Sequence, residues 1–401
     1  MKPSKLTYLS NMWTPGGDAA GECIRQAQTI EELGYVNLNW TDQTQTWQFR
    51  AGWRPDLIPY AAVMPDHDAW FDTLTLGAAV LARTERIMLS TIIDSYRRPA
   101  SVLAQALNSL DQIGHGRFLV AIGTGEDKQF EPYGMSRLEP RNTRLEDFIQ
   151  TTRALMLSDK PVTRDSQYNP LRDALVGLPT YHPDRTLPII IVGGGPRVMK
   201  IIGRSADGWG TYLPGSMADE LEPFEESIAR MRASAVEHDR DPEALLLPVG
   251  AEVVMLCEDA DQVQRCYDSV YTRMSVMNLT PTGADWKRWG GRHPIGDDWA
   301  LSVTHRSTKF TLDEVQDYCA KVRPEDIDHM IYIGTPEEVA AKSIKWYGAM
   351  GVQELPQILH WDKATFVCPE LAEIGPSGKP RWHDLHLRYL ERLRELLALR
   401  T

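Results

Sequence analysis

Short, near-continuous apolar runs alternate with longer amphipathic stretches, and this constrains the chain more than any other feature. Arg86–Ile93, Arg117–Ile122 and Pro188–Val192 are apolar at successive positions, which suits strands covered on both faces. Between them, residues 100–113 place Val102, Leu103, Ala106, Leu107 and Leu110 on one helical face. Residues 141–157 do the same with Leu145, Phe148, Ile149, Thr152, Leu155 and Met156. The spacing predicts further helices over 18–33, 72–83, 196–205, 219–237, 260–276, 336–350 and 384–399, and strands over 5–10, 36–40, 208–213, 248–257 and 354–360. Thr335-Pro336-Glu337-Glu338 starts its helix with a capping Thr, Pro at the first position and a Glu that closes a capping box. Such units build a parallel sheet wrapped in helices. About eight of them in 401 residues fit a closed α/β (β/α)8 TIM barrel, as one domain over 1–401, better than an open sheet.

Two stretches break the rhythm, 43–70 and 278–330; both mix Pro, Gly and Trp without clean periodicity. Insertions of that length usually form lids or binding loops. On a barrel they belong over the C-terminal strand ends, where active sites sit. Trp47, Trp53, Trp286, Trp289 and Trp299 lie in them, which predicts an aromatic-lined pocket for a bulky or apolar substrate.

A net charge of −12 disfavours nucleic acid and anionic membrane surfaces as partners. Cys23, Cys257, Cys266, Cys319 and Cys368 are scattered and never form a C-x-x-C pair, so neither a disulfide framework nor a zinc site is expected. No window approaches a membrane-spanning length of apolar residues, and Met1–Lys5 leads straight into a strand-like run. These features predict a cytoplasmic enzyme acting on a small molecule.

Three strand ends carry candidate chemistry. Asn39-Trp40-Thr41-Asp42-Gln43 follows the second strand and puts a carboxylate at the barrel mouth. Ala121-Ile122-Gly123-Thr124-Gly125-Glu126 follows the fourth. Its glycines allow close backbone approach to a planar ligand, and Glu126 stands where it can hold or deliver a proton. Ile191-Val192-Gly193-Gly194-Gly195-Pro196-Arg197-Val198 joins a strand to a helix start, where free N–H groups and the helix dipole suit a phosphate. Asp66-His67-Asp68 and the pair His383 and His386 have no supporting ligands nearby in sequence, so no metal is expected.

Taken in this order, the motifs resemble those of the luciferase-like flavin and deazaflavin oxidoreductases. Gly334-Thr335-Pro336-Glu337-Glu338-Val339 resembles that family's lead into its last barrel unit. The likeness covers roughly 5–276 and 331–362. Glu126 resembles the branch that uses coenzyme F-420. Glu131-Pro132-Tyr133-Gly134 and Pro170–Leu175 look similar to the phthiodiolone ketoreductase group. The resemblance implies that Asp42 binds the deazaflavin and that Thr124, Gly125 and Gln129 contact its ring or side chain. It implies that Gly194, Gly195, Arg197 and Val198 hold the phosphate tail. Ile92-Ile93-Asp94 matches the place where the family carries a non-prolyl cis peptide behind the ring. Trp47 and Tyr212 fall at substrate-contact positions, and the family's habit is a homodimer.

Two departures bear on chemistry. The family's basic His is Gln43 here, and a glutamine takes no proton near neutral pH. Asp42 and Glu126 are then the candidate proton-transfer groups, with Gln43 as a hydrogen-bond donor to substrate. A sugar-phosphate-gripping lysine of related enzymes falls at Gly215, which argues against a sugar phosphate. The implied activity is F-420-dependent hydride transfer to a carbonyl or activated double bond. An FMN-dependent monooxygenase and a non-catalytic F-420-binding protein are the alternatives.

Overall fold

The computed structural model describes residues 7–9, 18–35, 37–136, 139–182, 187–247, 251–351 and 359–398. Twelve strands occur among them: β1 (Thr7–Leu9), β2 (Asn37–Thr41), β3 (Met88–Asp94), β4 (Phe118–Gly123), β5 (Val162–Arg164), β6 (Leu171–Ala174), β7 (Ile189–Val192), β8 (Gly208–Gly210), β9 (Tyr212–Leu213), β10 (Ala251–Leu256), β11 (Tyr332–Gly334) and β12 (Leu359–Asp362). The main sheet runs β12-β1-β2-β3-β4-β7-β8, all parallel. One residue after β8, β9 pairs with β10, and β10 pairs with β12, so the ladder closes on itself. The ring is a parallel barrel with β8 and β9 as one interrupted strand. β11 extends the far half of β10, pairing Val254–Leu256 with Tyr332–Gly334.

Side chains alternate across this ring. Leu38, Trp40, Leu89, Val120, Ile122, Ile189 and Ile191 point outward into the core beneath the helices. Met88, Leu119, Ala121 and Ile190, with Ile92 and Val192, pack inside. Both faces are therefore apolar, as the near-continuous runs require. Asn39 is an inward exception; its Nδ2 donates to Ser90 Oγ across β2 and β3 at 2.6 Å. Helix starts follow their caps: Asp18 accepts from Gly21 N, Asp72 from Thr75 N, and Thr335 and Glu338 form the expected box.

Several elements differ from the sequence reading. The stretch 260–276 is two helices, Ala260–Asp268 and Val270–Leu279, because extended Ser269 caps the second through its hydroxyl. The 208–213 strand is interrupted at Thr211. The last strand begins at Leu359, while the expected start at 354–358 lies outside the described residues. β5 and β6 form a separate antiparallel hairpin that periodicity did not reveal; its residues are half-exposed or exposed, so they carry no apolar alternation. No cis peptide occurs at Ile92–Asp94. There β3 stays in register with β4 through Ile93↔Ile122 and Asp94↔Gly123, which continues the regular ladder to its end.

The insertions correct the reading of their tryptophans. Trp53, Trp286 and Trp299 are buried. They join a satellite core in which Trp53 stacks on His67, Trp299 on His293 and Phe49 on His305. Their indole N–H groups end on Met64 O, Thr280 Oγ1 and Thr280 O, so each ring is buried without orphaning its donor. Trp289 packs on Trp286 and His329. Trp47 alone of the five lines the main cavity. No helix among the described residues is long and apolar enough to cross a membrane.

Helices Pro196–Ser205 and Leu221–Val236 meet at Gly203, where an added Cβ would lie 2.4 Å from Met231 O. Gly203→Ala must push the helices apart and should cost about 1–3 kcal/mol in urea denaturation. Burial lowers His305 from 6.5 to about 3 and His293 from 6.5 to about 4. Both are neutral in the fold at neutral pH. Below about 6.5 the unfolded chain takes up protons that the native one refuses, and stability falls by about 1.4 kcal/mol per pH unit for each such group. The loss ends near each native value. Denaturation midpoints should drop as pH falls from about 6.5 to about 4, and His305→Gln should flatten that slope.

Candidate active site

The C-terminal ends of β2, β3, β4, β7 and the β8–β9 strand open into one cavity of about 450 Å³. The parallel ring sends all these ends to the same rim. Asp42, Gln43, Trp47, Ile92, Ile93, Asp94, Thr124, Gly125, Glu126, Gln129, Gly194, Val198 and Tyr212 all line it. Gly195 and Arg197 do not: Gly195 caps the helix just outside, and the Arg197 guanidinium turns away to donate to Thr143 Oγ1.

Gly123–Gly125 needs its glycines for geometric reasons. Gly125 has φ +70°, and a Cβ there would sit 2.2 Å from Phe130 Cζ. This tight turn carries Glu126 to the cavity wall. Its Oε1 accepts from the Trp47 indole at 2.9 Å, and its Oε2 lies 2.9 Å from Lys128 Nζ. Trp47 is fixed in turn by its carbonyl, which accepts from His305 Nε2 at 2.7 Å. The insertion at 278–330 thus braces the residue that holds Glu126.

Gln43 is oriented by chemistry. Its Oε1 accepts from Lys128 Nζ at 2.6 Å and from Gln129 Nε2. A lysine ammonium only donates, so the amide oxygen must face it, and the amide NH2 is the end left for the cavity. Gln129 itself is buried and spent within the protein. Its Oε1 accepts from Thr44 N and Thr44 Oγ1, and its Nε2 donates to Gln45 O as well as Gln43. It clasps the 43–45 loop rather than offering a polar end to a ligand.

Asp42 is held the same way. Its Oδ2 accepts from Arg97 at 2.7 Å and Arg98 at 2.5 Å. Asp94 accepts from Tyr96 N at 2.8 Å, Arg97 N at 2.7 Å and the Arg97 guanidinium. With one oxygen committed to two guanidiniums, Asp42 fixes the rim and is poorly placed to take a substrate proton. Tyr212 is half-buried, its phenol is pushed far up by desolvation, and its hydroxyl donates to Leu279 O. It offers the cavity a ring rather than a hydroxyl. Asp66 and Asp68 pair with Arg50, and His67 Nε2 meets Gln48 O.

The glycine run after β7 suits an anion. Gly193 and Gly195 have φ +149° and +88°, and a Cβ on Gly194 would meet no protein atom within 4 Å. Open space thus faces the backbone at the start of helix Pro196–Ser205, whose first-turn N–H groups have no intrahelical partner. Arg141 and Asn142, at the start of helix Arg141–Leu157, line the same end. These two residues were not singled out in the sequence, nor were Arg97, Arg98, Lys128 and Ser302. Arg97 and Arg98 follow a strand end, which is the signal that could have found them. Ser302 and Lys128 sit in segments without periodicity.

Comparison with known proteins places this geometry. Residues 6–354 match the family described as luciferase-like monooxygenase. A phthiodiolone/phenolphthiodiolone dimycocerosates ketoreductase of Mycobacterium kansasii is 33% identical over 348 residues, covering 84% of this chain and 89% of that protein. An F420-dependent glucose-6-phosphate dehydrogenase of Intrasporangium calvum is 28% identical over 260 residues, 58% of this chain and 71% of its own. Among solved structures, an F420-dependent secondary alcohol dehydrogenase with an F420-acetone adduct superposes with a TM-score of 0.69 at 19% identity, over 98% of this chain and 100% of that one. At that identity the likeness speaks for the fold. The matched span, most of the chain, and the closed parallel barrel beneath it agree: the chain belongs to the luciferase-like monooxygenase family.

Proposed function

We propose that this protein is a coenzyme F-420-dependent oxidoreductase that passes a hydride to a carbonyl or activated double bond of a bulky, largely apolar substrate. The observation that carries the reading is one cavity lined both by Glu126 with the Gly123–Gly125 turn and by an open glycine cradle after β7. Relatives named as ketoreductases and as an F420-dependent dehydrogenase support it.

The residues present fit such a cofactor. Gly193, Gly194 and the N–H groups of Arg197 and Val198 would hold its phosphate, with Arg141 and Asn142 beside them. Ile92, Ile93, Thr124 and Gly125 would lie against the ring. When bound, the deazaflavin supplies or takes the hydride. The protein's part is placement and charge. Leu145, Val192, Leu279 and Leu301 give the cavity apolar walls that exclude water. Gln43's NH2 donates to the substrate oxygen, and Glu126 delivers the proton to it as negative charge develops. Since Gln43 takes no proton, reduction is the favoured direction.

Fluorescence titration with F-420 and with FMN tests the cofactor. Tight binding of F-420 and weak binding of FMN is expected; the reverse overturns the reading. Gly194→Glu puts a like charge in the cradle at a position where its Cβ meets no protein atom, and should weaken F-420 at least ~10-fold, about 1.4 kcal/mol. Glu126→Gln should bind F-420 normally yet lose ~10²–10⁴-fold in hydride-transfer rate with a ketone panel. Full turnover by that variant would remove Glu126 from the chemistry.

A further inference from the structure

Lys128 has no accessible surface. It lies two residues after Glu126, in the single turn Asp127–Gln129. Its Nζ is 2.6 Å from Gln43 Oε1, 2.6 Å from Gln45 O and 2.9 Å from Glu126 Oε2. Two of its N–H donors go to Gln43 Oε1 and Gln45 O, and the third contact is the ion pair with Glu126 Oε2. The same Nζ stands 5.0 Å over the Trp47 ring. Burying a charge costs several kcal/mol even when it is paired. Clasping the 43–45 loop does not require that cost, because Gln129 already binds Gln43, Thr44 and Gln45 with neutral groups. What Lys128 adds is a transferable proton beside the Glu126 carboxylate, at a place where Gln43 can carry none.

We infer that Lys128 is a positioning residue and proton reserve for the site, fixing Gln43 and Glu126 and resupplying the proton that Glu126 gives to the substrate. This rests on the carbonyl-reduction reading above. In that direction the hydride's two electrons form the new C–H bond, and the carbonyl π pair moves to oxygen. Glu126 loses its O–H proton to that oxygen, and the substrate O–H forms. The Glu126 proton comes from Lys128: an N–H bond breaks at Nζ, an O–H bond forms at Oε2, and a neutral amine remains. After product leaves, water entering the cavity that Glu126 lines returns one proton to the pair. Nothing beyond the reduced deazaflavin and water is consumed.

The charges around Lys128 are compatible with this. Burial lowers its affinity for the proton, Glu126 and Asp68 raise it, and Arg97 lowers it again. His305, the nearby imidazole, is neutral through burial and offers no competing proton at neutral pH.

The test uses the full chain with lysine labelled by 13C at Cε, followed by NMR against pH without cofactor. The resonance missing from Lys128→Met is Lys128. It should titrate at least ~1 pH unit below the exposed lysines, and Glu126→Gln should lower it further, because the attracting charge is gone. A Lys128 that titrates with the surface lysines, or that ignores Glu126→Gln, overturns the inference. In single-turnover oxidation of reduced F-420 by a panel of aliphatic and aryl ketones, the wild type should slow on the alkaline side. Lys128→Met should lose ~10²-fold in rate at neutral pH, lose the alkaline decline, and keep its F-420 affinity. A wild-type pH profile in Lys128→Met sinks the lysine's role alone. A wild type that binds F-420 and shows the NMR shift, yet oxidises it with no ketone, sinks the carbonyl reading instead.

Discussion

The closed ladder of parallel strands is the constraint from which the rest follows. Parallel pairing needs a crossover after each strand, so every strand begins at one rim and ends at the other. Asp42, Asp94, Glu126, Gly194 and Tyr212 are far apart in sequence, yet each follows or ends a strand of this ring. Closure brings them around one cavity without any further device. Outward apolar residues bind the ring to its helices, and inward ones fill its floor. The site therefore rests on a packed base.

Those loops are fastened by polar groups at some cost. Gln129 clasps 43–45, two arginines grip Asp42, and a buried lysine joins Gln43 to Glu126. Buried charges are expensive unless each is paired. Here carboxylates and cations alternate around the mouth, so most find a partner within the protein. His305 belongs to the same arrangement. It stays neutral inside the 278–330 insertion, where it supports Trp47 and adds no charge beside Lys128.

Much of this was legible in the sequence. Apolar runs located β3, β4 and β7 to within two residues, and glycines after strands marked two walls of the cavity. Helix starts with side-chain caps were equally readable, since the capping groups are adjacent in sequence. What periodicity missed was long-range. The hairpin β5–β6 has no buried face to alternate. The tryptophans of the insertions looked like pocket walls because nothing in the sequence shows that Trp53, Trp286 and Trp299 pack against His67, Thr280 and His293. The hold of Gln129 on Thr44 and of the arginines on Asp42 was not legible, because those partners come together only in three dimensions.

In the proposed function this cavity brings a deazaflavin hydride to the carbonyl carbon and a protein-held proton to the carbonyl oxygen of one substrate, with no role for molecular oxygen. The most direct measurement is a strictly anaerobic single turnover with reduced F-420 bound and the ketone panel added. Cofactor oxidation without oxygen is expected, matched one to one by alcohol formed. Cofactor oxidation that waits for oxygen, with an oxygenated product and no alcohol, would contradict it and give the site to monooxygenase chemistry.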